Sequence, residues 1–311
     1  MLTASVLLGL LAIALAWPVP LALARAAWPA RAPATALVLW QAIALAGGLS
    51  MIGALLTFGL VPFGERIVPA SAALVRNVAV TGVTPAVPVW HVIALCAGLL
   101  LGAHLVFNLV LTVVRIDRQR RRHRELVELL SSPIPDLPHS RLIDLQLPVA
   151  YCLPGSAHSV TVFSAGLLEL LDADQLAAVI EHERAHLSQR HYLVLLAFDA
   201  WHTSLPWFPI ANTSQREVGM LIEMVADDHA RATVDDASLS SAIDLVAAAS
   251  ADQRMPPAES LGSTHGARST DTAARVDRIR HGNRLGTAGR ATVLAGSFAL
   301  VAVPTVLLFA G

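Results

Sequence analysis

This 311-residue chain is organised around one helix, which carries His182-Glu183-Arg184-Ala185-His186. Residues four apart on an α-helix lie on one face, so both imidazoles can reach a single ion. Zinc binds neutral histidine nitrogens readily, and a catalytic zinc site keeps one position open for water. Glu183 points partly aside, where it can take a proton from water without occupying the metal. We predict that His182 and His186 bind Zn²⁺ and that Glu183 is a catalytic base; two surface histidines on an amphipathic helix are the alternative.

The residues around this stretch are typical of an amphipathic helix. Asp172 and Gln175 have the spacing of a capping box, which predicts that the helix begins there. An apolar stripe is expected to run beside the histidines, and its members are Leu176, Val179, Ile180 and Leu187.

A zinc site of this kind needs a third protein ligand, and Glu223 is the best candidate. It lies on a second predicted helix that starts near Thr213 or Ser214, and its neighbours are apolar, which argues against an exposed, idle carboxylate. Asp227 follows one turn later on the same face, where it can fix the tautomer of a ligand histidine. The adjacent Asp228 and His229 are weaker rivals for the ligand role.

The composition predicts a membrane protein. The chain is 55% hydrophobic and 14% charged, with a mean hydropathy of +0.59, which is far too apolar for a soluble protein of this length. A formal net charge of −1 gives no indication of nucleic-acid binding, and two cysteines in different segments do not indicate a disulfide framework. Four stretches are long and apolar enough to span a bilayer: 2–24, 34–60, 87–114 and 291–310.

The distribution of arginine predicts the orientation of these spans. Of the 22 basic residues, all arginine, only Arg66 and Arg76 lie in the loop of residues 61–86 between spans two and three. The other 20 then lie on one side, which the positive-inside rule makes the cytoplasm. For the first span a cleaved signal peptide is the alternative. The expected organisation is three transmembrane helices in 1–114, a cytoplasmic domain in 115–290 and a fourth transmembrane helix in 291–311.

The cytoplasmic domain is expected to mix helices with a few strands. Residues 148–153 and 159–164 are predicted strands, and a peptidase would hold an extended substrate on such a strand; a plain structural hairpin is the alternative. Residues 192–211 are apolar but short for a span, so we predict a helix that dips into the membrane face or packs against the spans, with a buried core helix as the alternative. Further helices are predicted over 123–130, 167–171, 237–249 and 271–281.

These features together resemble the antirepressor family of integral-membrane zinc metallopeptidases, whose best-known members are the β-lactam sensor-transducers of the BlaR/MecR type. The resemblance covers roughly 110–285 well and the spans loosely. The heat-shock membrane proteases of the HtpX type and the CAAX prenyl-protein proteases are more distantly similar. The resemblance rests on Pro148-Val-Ala-Tyr-Cys-Leu-Pro-Gly155, Gly166-Leu-Leu, His182-Glu-Arg-Ala-His186, Arg190-His191, Trp207-Phe208-Pro209, and Glu223 with Asp227.

The resemblance implies that His182, His186 and Glu223 are zinc ligands and that Glu183 is the catalytic base. It implies a mainly α, polytopic protein of a bacterial cell membrane, with four transmembrane helices and an inserted zincin-like (gluzincin) α+β metallopeptidase domain. The sensor-transducers carry an extracellular penicillin-binding domain after their last span, whereas this sequence ends right after that span. We therefore expect a protease without an antibiotic sensor. The charged Arg184 between the histidines departs from stricter zinc-peptidase patterns.

Three functions follow from this interpretation. The first is regulated proteolysis of a cytoplasmic winged-helix transcriptional repressor, by analogy with the sensor-transducers. The second is quality control of damaged membrane proteins, by analogy with the HtpX type. The third is a non-enzymatic membrane signalling scaffold with a structural zinc, against which Glu183 argues because a structural site needs no base. The reaction also needs a group that stabilises the transition state, and His265 weakly resembles a histidine placed before the terminal arginine helix in the related proteases; an exposed loop histidine is the alternative.

The arginine asymmetry gives the first testable prediction. Reporter fusions should score cytoplasmic at about residue 130 and external at about residue 75, because the flanking arginines hold their side of each span in the cytoplasm. The reverse pattern would rule out both the topology and a cytoplasmic substrate.

Overall fold

The computed structural model describes residues 1–81, 87–135, 137, 140–153, 159–206, 209–252, 269–282 and 284–310. In chain order its α-helices are α1 (Leu2–Ala16), α2 (Pro18–Arg25), α3 (Trp28–Arg31), α4 (Pro33–Leu60), α5 (Ile67–Thr81), α6 (Val89–Leu130), α7 (Ala165–Leu170), α8 (Ala173–Ser188), α9 (His191–Ser204), α10 (Pro209–Ala230), α11 (Asp236–Asp252), α12 (Ser269–His281) and α13 (Thr287–Ala310). A 3₁₀ turn occupies Val61–Phe63, and the strands are β1 (Ser131–Pro133), β2 (Ser140–Ile143), β3 (Ala150–Leu153) and β4 (Val160–Ser164).

The chain divides into two compact units. Unit 1 consists of Met1–Val110, Phe198–Glu217 and Leu285–Gly311, and it contains the long apolar helices. Unit 2 consists of Leu111–Ala197 and Val218–Arg284, and it contains the sheet and the predicted metal-binding residues.

Four helices in the described part of the chain are long and apolar enough to cross a membrane, and they fall on the four predicted stretches. This is compatible with a membrane protein. The first is divided at Trp17, because Pro18 and Pro20 lack the N–H groups that an uninterrupted helix would use. The four run over Leu2–Arg25, Pro33–Phe63, Val89–Leu130 and Thr287–Phe309.

Helix α4 is central to unit 1, where it packs against both α1 and α13. The Ser5 hydroxyl on α1 donates to the carbonyl of Ala54 on α4 at 3.0 Å. Gly48 on α4 lies against the indole of Trp201 on α9, and a Cβ at this glycine would stand 3.0 Å from the ring. The second half of α9 therefore packs among the apolar helices of this unit, in agreement with the prediction that its segment packs against the spans.

Two helices differ from the sequence-based prediction. Helix α6 is one uninterrupted helix of 42 residues, whereas we predicted a span ending at 114 and a separate helix over 123–130. No glycine or proline occurs between residues 103 and 132, so nothing in the sequence stops the helix. Helix α5 lies within the predicted loop of residues 61–86.

Unit 2 contains a four-stranded sheet with the order β1-β2-β4-β3. The central pair β2 and β4 is parallel, while β1 pairs with β2 and β3 pairs with β4 in antiparallel fashion. The predictions of β3 and β4 are confirmed to within two residues. Strands β1 and β2 were not predicted, because they are only three and four residues long and lie among prolines.

Helix α8 is positioned by its cap and by its apolar stripe. The predicted capping box between Asp172 and Gln175 is confirmed. Three of the four predicted stripe residues pack against the buried side chains of Phe163 and Leu167; these three are Leu176, Val179 and Ile180. The helix also packs against β3 and α11. The stripe thus fixes one face of α8 in the core and leaves the face with the two histidines for the site.

Gly166 gives a prediction about the stability of unit 2. Its N–H donates to the carbonyl of Leu145 at 2.9 Å, and a Cβ at this position would lie 1.9 Å from the backbone oxygen of Gln146. Gly166→Ala should destabilise the protein by about 1–3 kcal/mol, because the backbone must shift to remove the clash. Thermal unfolding in detergent measures this effect. Gly296→Ala is the control, since its new methyl group meets nothing within 4 Å; equal melting temperatures for the two variants would contradict the prediction.

Candidate metal centre

Three predicted ligands meet at one point of unit 2. His182 and His186 extend from one face of α8, and Glu223 reaches them from α10. The two histidine Nε2 atoms are 3.3 Å apart. One Glu223 oxygen lies 3.3 Å from the Nε2 of His182, and the other lies 3.6 Å from the Nε2 of His186. Among the residues that the structure describes, this is the one group of such side chains close enough to share a metal ion.

These distances fit zinc. Two ligand atoms that each lie about 2.0–2.1 Å from a tetrahedral zinc ion are separated by about 3.3–3.4 Å. The two imidazole nitrogens therefore already stand at the spacing that tetrahedral coordination requires, and each has one oxygen of Glu223 within 3.3–3.6 Å. Two imidazole nitrogens and one carboxylate form a donor set typical of catalytic zinc, with a fourth position left for water or substrate.

Glu183 lies beside this group without belonging to it. Its side chain is partly buried, and burial raises the pKa of its carboxyl to about 7, with a smaller opposing effect of His182 and a reinforcing effect of Glu223. A hydrogen bond from the backbone of Cys152, in strand β3, reaches the same carboxyl. A general base is most effective when its pKa is close to the working pH, and burial moves the pKa of Glu183 toward that range.

Asp227 orients His182 from behind. The side chain of Asp227 is fully buried, and its Oδ1 lies 3.0 Å from the Nδ1 of His182. Arg275 on α12 donates two hydrogen bonds to the same carboxylate, at 2.7 and 2.9 Å, and its Nη1 lies 3.2 Å from Glu223. Arg275 thus neutralises two carboxylates of the site at once.

The electrostatic effects at the ligands follow from these contacts. Burial alone would lower the pKa of His182, but hydrogen bonds to Asp227 and Glu223 outweigh burial and raise the pKa to about 10. Burial lowers the pKa of His186 to about 4, so this imidazole is neutral and able to bind a metal. Burial also opposes the charge on Glu223 and Asp227, yet His182 and Arg275 hold the pKa of both carboxyls well below the usual range.

The rival candidates for the third ligand have other partners. Asp228 accepts a hydrogen bond from Arg278 of α12 at 2.6 Å. His229 lies with its Nδ1 3.4 Å from the side-chain amide of Gln189. His265, the predicted transition-state stabiliser, lies outside the described residues.

Sequence reasoning did not assign Arg275 and His191 to the site. Arg275 was one of several arginines on a predicted terminal helix, and the signal that could have distinguished it is its spacing of three from Arg278, which puts both on one helix face. Both arginines are 9% exposed and bind the acidic residues of α10. His191 lies with its Nδ1 3.0 Å from the Nδ1 of His186, and burial lowers its pKa to about 4.

Comparison with known proteins agrees with this chemistry. Residues 117–231 match the model of Peptidase family M48, and this segment includes α8 and the ligand-bearing part of α10 but ends before α12. Peptidases of this family are zinc metalloproteases, so the match over this segment supports a metallopeptidase function. No curated protein and no solved structure matches the chain significantly. The finer likeness to the BlaR/MecR type stays a prediction.

The geometry of the three ligands predicts about one zinc ion per chain. His182→Ala and His186→Ala should each remove most of the zinc from the purified protein, because two remaining ligands hold zinc weakly. Elemental analysis measures the content. His281→Ala, at an exposed position on α12, is the matched control and should keep its zinc. A double His182→Ala, His186→Ala variant with unchanged zinc would exclude this site.

Proposed function

We propose that the protein is a zinc-dependent membrane endopeptidase that cleaves peptide bonds on the cytoplasmic side. The observation that carries this proposal is the triangle of His182, His186 and Glu223 atoms with the carboxyl of Glu183 beside it. A purely structural zinc site has four protein ligands and needs no base. This site offers three ligands and a base, which is the arrangement of a hydrolase.

The residues divide the chemistry of hydrolysis among them. His182, His186 and Glu223 would hold the zinc ion, which polarises a peptide carbonyl and makes water a stronger nucleophile. Glu183 takes a proton from the attacking water as its oxygen bonds to the carbonyl carbon. Glu183 then gives that proton to the amide nitrogen as the C–N bond breaks, so a free amine leaves and a carboxylic acid remains, whose own proton passes to solvent. Asp227 keeps the proton of His182 on Nδ1 and leaves Nε2 available as a ligand.

Strand β3 supports a role in substrate binding. It lies at one end of the sheet, and in the described part of the chain no other strand pairs with its outer edge. Edge strands present unpaired N–H and C=O groups, to which an extended peptide can add as a further strand. The Cys152 backbone that hydrogen-bonds Glu183 belongs to this strand. A peptide bound along β3 would therefore pass next to the catalytic carboxyl.

The proposed substrate is a cytoplasmic winged-helix repressor. This identification rests on the resemblance to the sensor-transducers, and the cytoplasmic orientation rests on the arginine asymmetry. Quality control of membrane proteins is the second candidate, favoured by the four helices that are long and apolar enough to cross a membrane. Co-expression with each substrate class, followed by immunoblotting for the cleaved product, distinguishes the two.

Replacement of Glu183 distinguishes the proposed endopeptidase from a non-enzymatic signalling scaffold. Glu183→Gln keeps the size of the side chain but removes the base, so cleavage should fall by about 10²–10⁴-fold while zinc content stays. Glu223→Gln should lower zinc content and cleavage together, because it weakens a metal ligand. The measurements are bound zinc and cleavage of a co-expressed substrate in membranes.

A specific outcome of the same experiment would reject the enzymatic function. If Glu183→Gln retains zinc and restores every phenotype of a deletion strain, proteolysis is not the contribution of this protein. A signalling scaffold with a structural zinc would then be the better description.

A further inference from the structure

His186 makes a contact that the proposed reaction does not explain. Its Nε2 faces the metal position, and its Nδ1 lies 3.0 Å from the Nδ1 of His191. The Nε2 of His191 lies 2.9 Å from the side-chain oxygen of Gln189, and the amide nitrogen of Gln189 lies 3.4 Å from the Nδ1 of His229. Four side chains thus form one hydrogen-bonded series, and His191 is buried at 4% exposure.

The backbone between α8 and α9 makes this contact possible. Residues five apart in a continuous helix point in different directions, so His186 and His191 would not meet on one uninterrupted helix. Arg190 has a φ of +52°, a left-handed conformation that ends α8 and interrupts the helical path before α9 begins. The N–H of Gln189 still bonds the carbonyl of Ala185 at 3.0 Å. The imidazole of His191, the first residue of α9, consequently reaches the imidazole of His186 in the last turn of α8.

Metal binding assigns every proton in this series. A histidine that binds zinc through Nε2 carries its proton on Nδ1, so His186 must donate to His191. The Nδ1 of His191 then accepts, its own proton is on Nε2, and it donates to the carbonyl oxygen of Gln189. The Gln189 amide nitrogen is left to donate to His229. The donor and acceptor roles of all four side chains therefore follow from zinc binding through Nε2 of His186.

We infer that His191 is a positioning residue that holds the ligand His186 in its metal-binding tautomer and orientation, with Gln189 and His229 fixing His191 in turn. The inference rests on the proposed metal site and deepens it. The two ligand histidines are thereby held differently: His182 contacts a buried carboxylate, whereas His186 contacts a neutral imidazole. Outer partners of this kind raise ligand basicity and restrict ring rotation.

The test measures zinc affinity in the full-length protein by competition with a chelator of known affinity. His191→Leu keeps the apolar volume but removes the acceptor, and zinc affinity should fall about 10–100-fold. His191→Asn keeps an acceptor near the position of Nδ1, and its affinity should stay close to that of the parent protein. Gln189→Leu should weaken binding by less than His191→Leu. His202→Leu, the same substitution on the same helix outside the series, should change nothing.

Cobalt substitution gives a second readout that simple loss of packing would not move. The visible absorption bands of bound Co²⁺ report ligand geometry, and they should shift in His191→Leu but not in His191→Asn. The inference is overturned if His191→Leu binds zinc as tightly as the parent protein, or if His191→Asn is weakened as much as His191→Leu. If His191→Leu does not fold, Gln189→Leu provides the test instead. A Gln189→Leu protein with the zinc affinity and Co²⁺ spectrum of the parent protein would contradict the inference.

The result also separates this inference from the proposed function. A parent protein that binds no zinc contradicts both. A parent protein whose zinc depends on His182 and Glu223, but not on His191, keeps the proposed function and contradicts only the positioning role.

Discussion

The buried carboxylate of Asp227 is the constraint on which the site depends. An ionised carboxylate inside a protein is tolerated only with full compensation, and Asp227 receives it from the two hydrogen bonds of Arg275 and the contact with His182. Removing one partner of such a buried pair typically costs about 3–5 kcal/mol. Helices α8, α10 and α12 each contribute one member, so all three must be in place before the carboxylate can be buried. The requirement to neutralise one side chain thereby sets the mutual positions of the ligands.

The charges around this carboxylate are suited to a divalent cation. Without metal, the positive charges of the site are Arg275 and a protonated His182, and Glu183 is pushed toward its neutral form. Zinc binding requires a neutral His182 and lets Glu183 ionise beside a cation. Protons would leave these two groups as the divalent ion enters, which limits the change in the total charge of the buried group. A monovalent cation would not balance the three carboxylates and one guanidinium in this way.

The sequence predicted the part of this arrangement that depends on local geometry. Helical spacing put His182 and His186 on one face, and the apolar neighbours of Glu223 indicated that its carboxylate was not idle. The capping box predicted where α8 begins. Spacing alone does not predict contacts made across turns or between distant helices. His191 reaches His186 only because the left-handed Arg190 interrupts the helix between them, and Arg275 is 48 residues from Asp227. The short strands β1 and β2 gave no periodic signal, since a period of two cannot be recognised over three or four residues.

Two of the three predicted zinc ligands lie on one helix, α8, and the third lies on α10. The two histidines are fixed relative to each other by a single helix, so that half of the site exists whenever α8 is formed. The third ligand comes from α10, and its position depends on α12 through Arg275. Zinc bound to all three would therefore connect α8 to α10, and its binding free energy would add to the stability of unit 2. In this protein the metal would act as a structural link between helices as well as the source of the hydrolytic chemistry, because the ligand farthest in sequence is held only by contacts between helices.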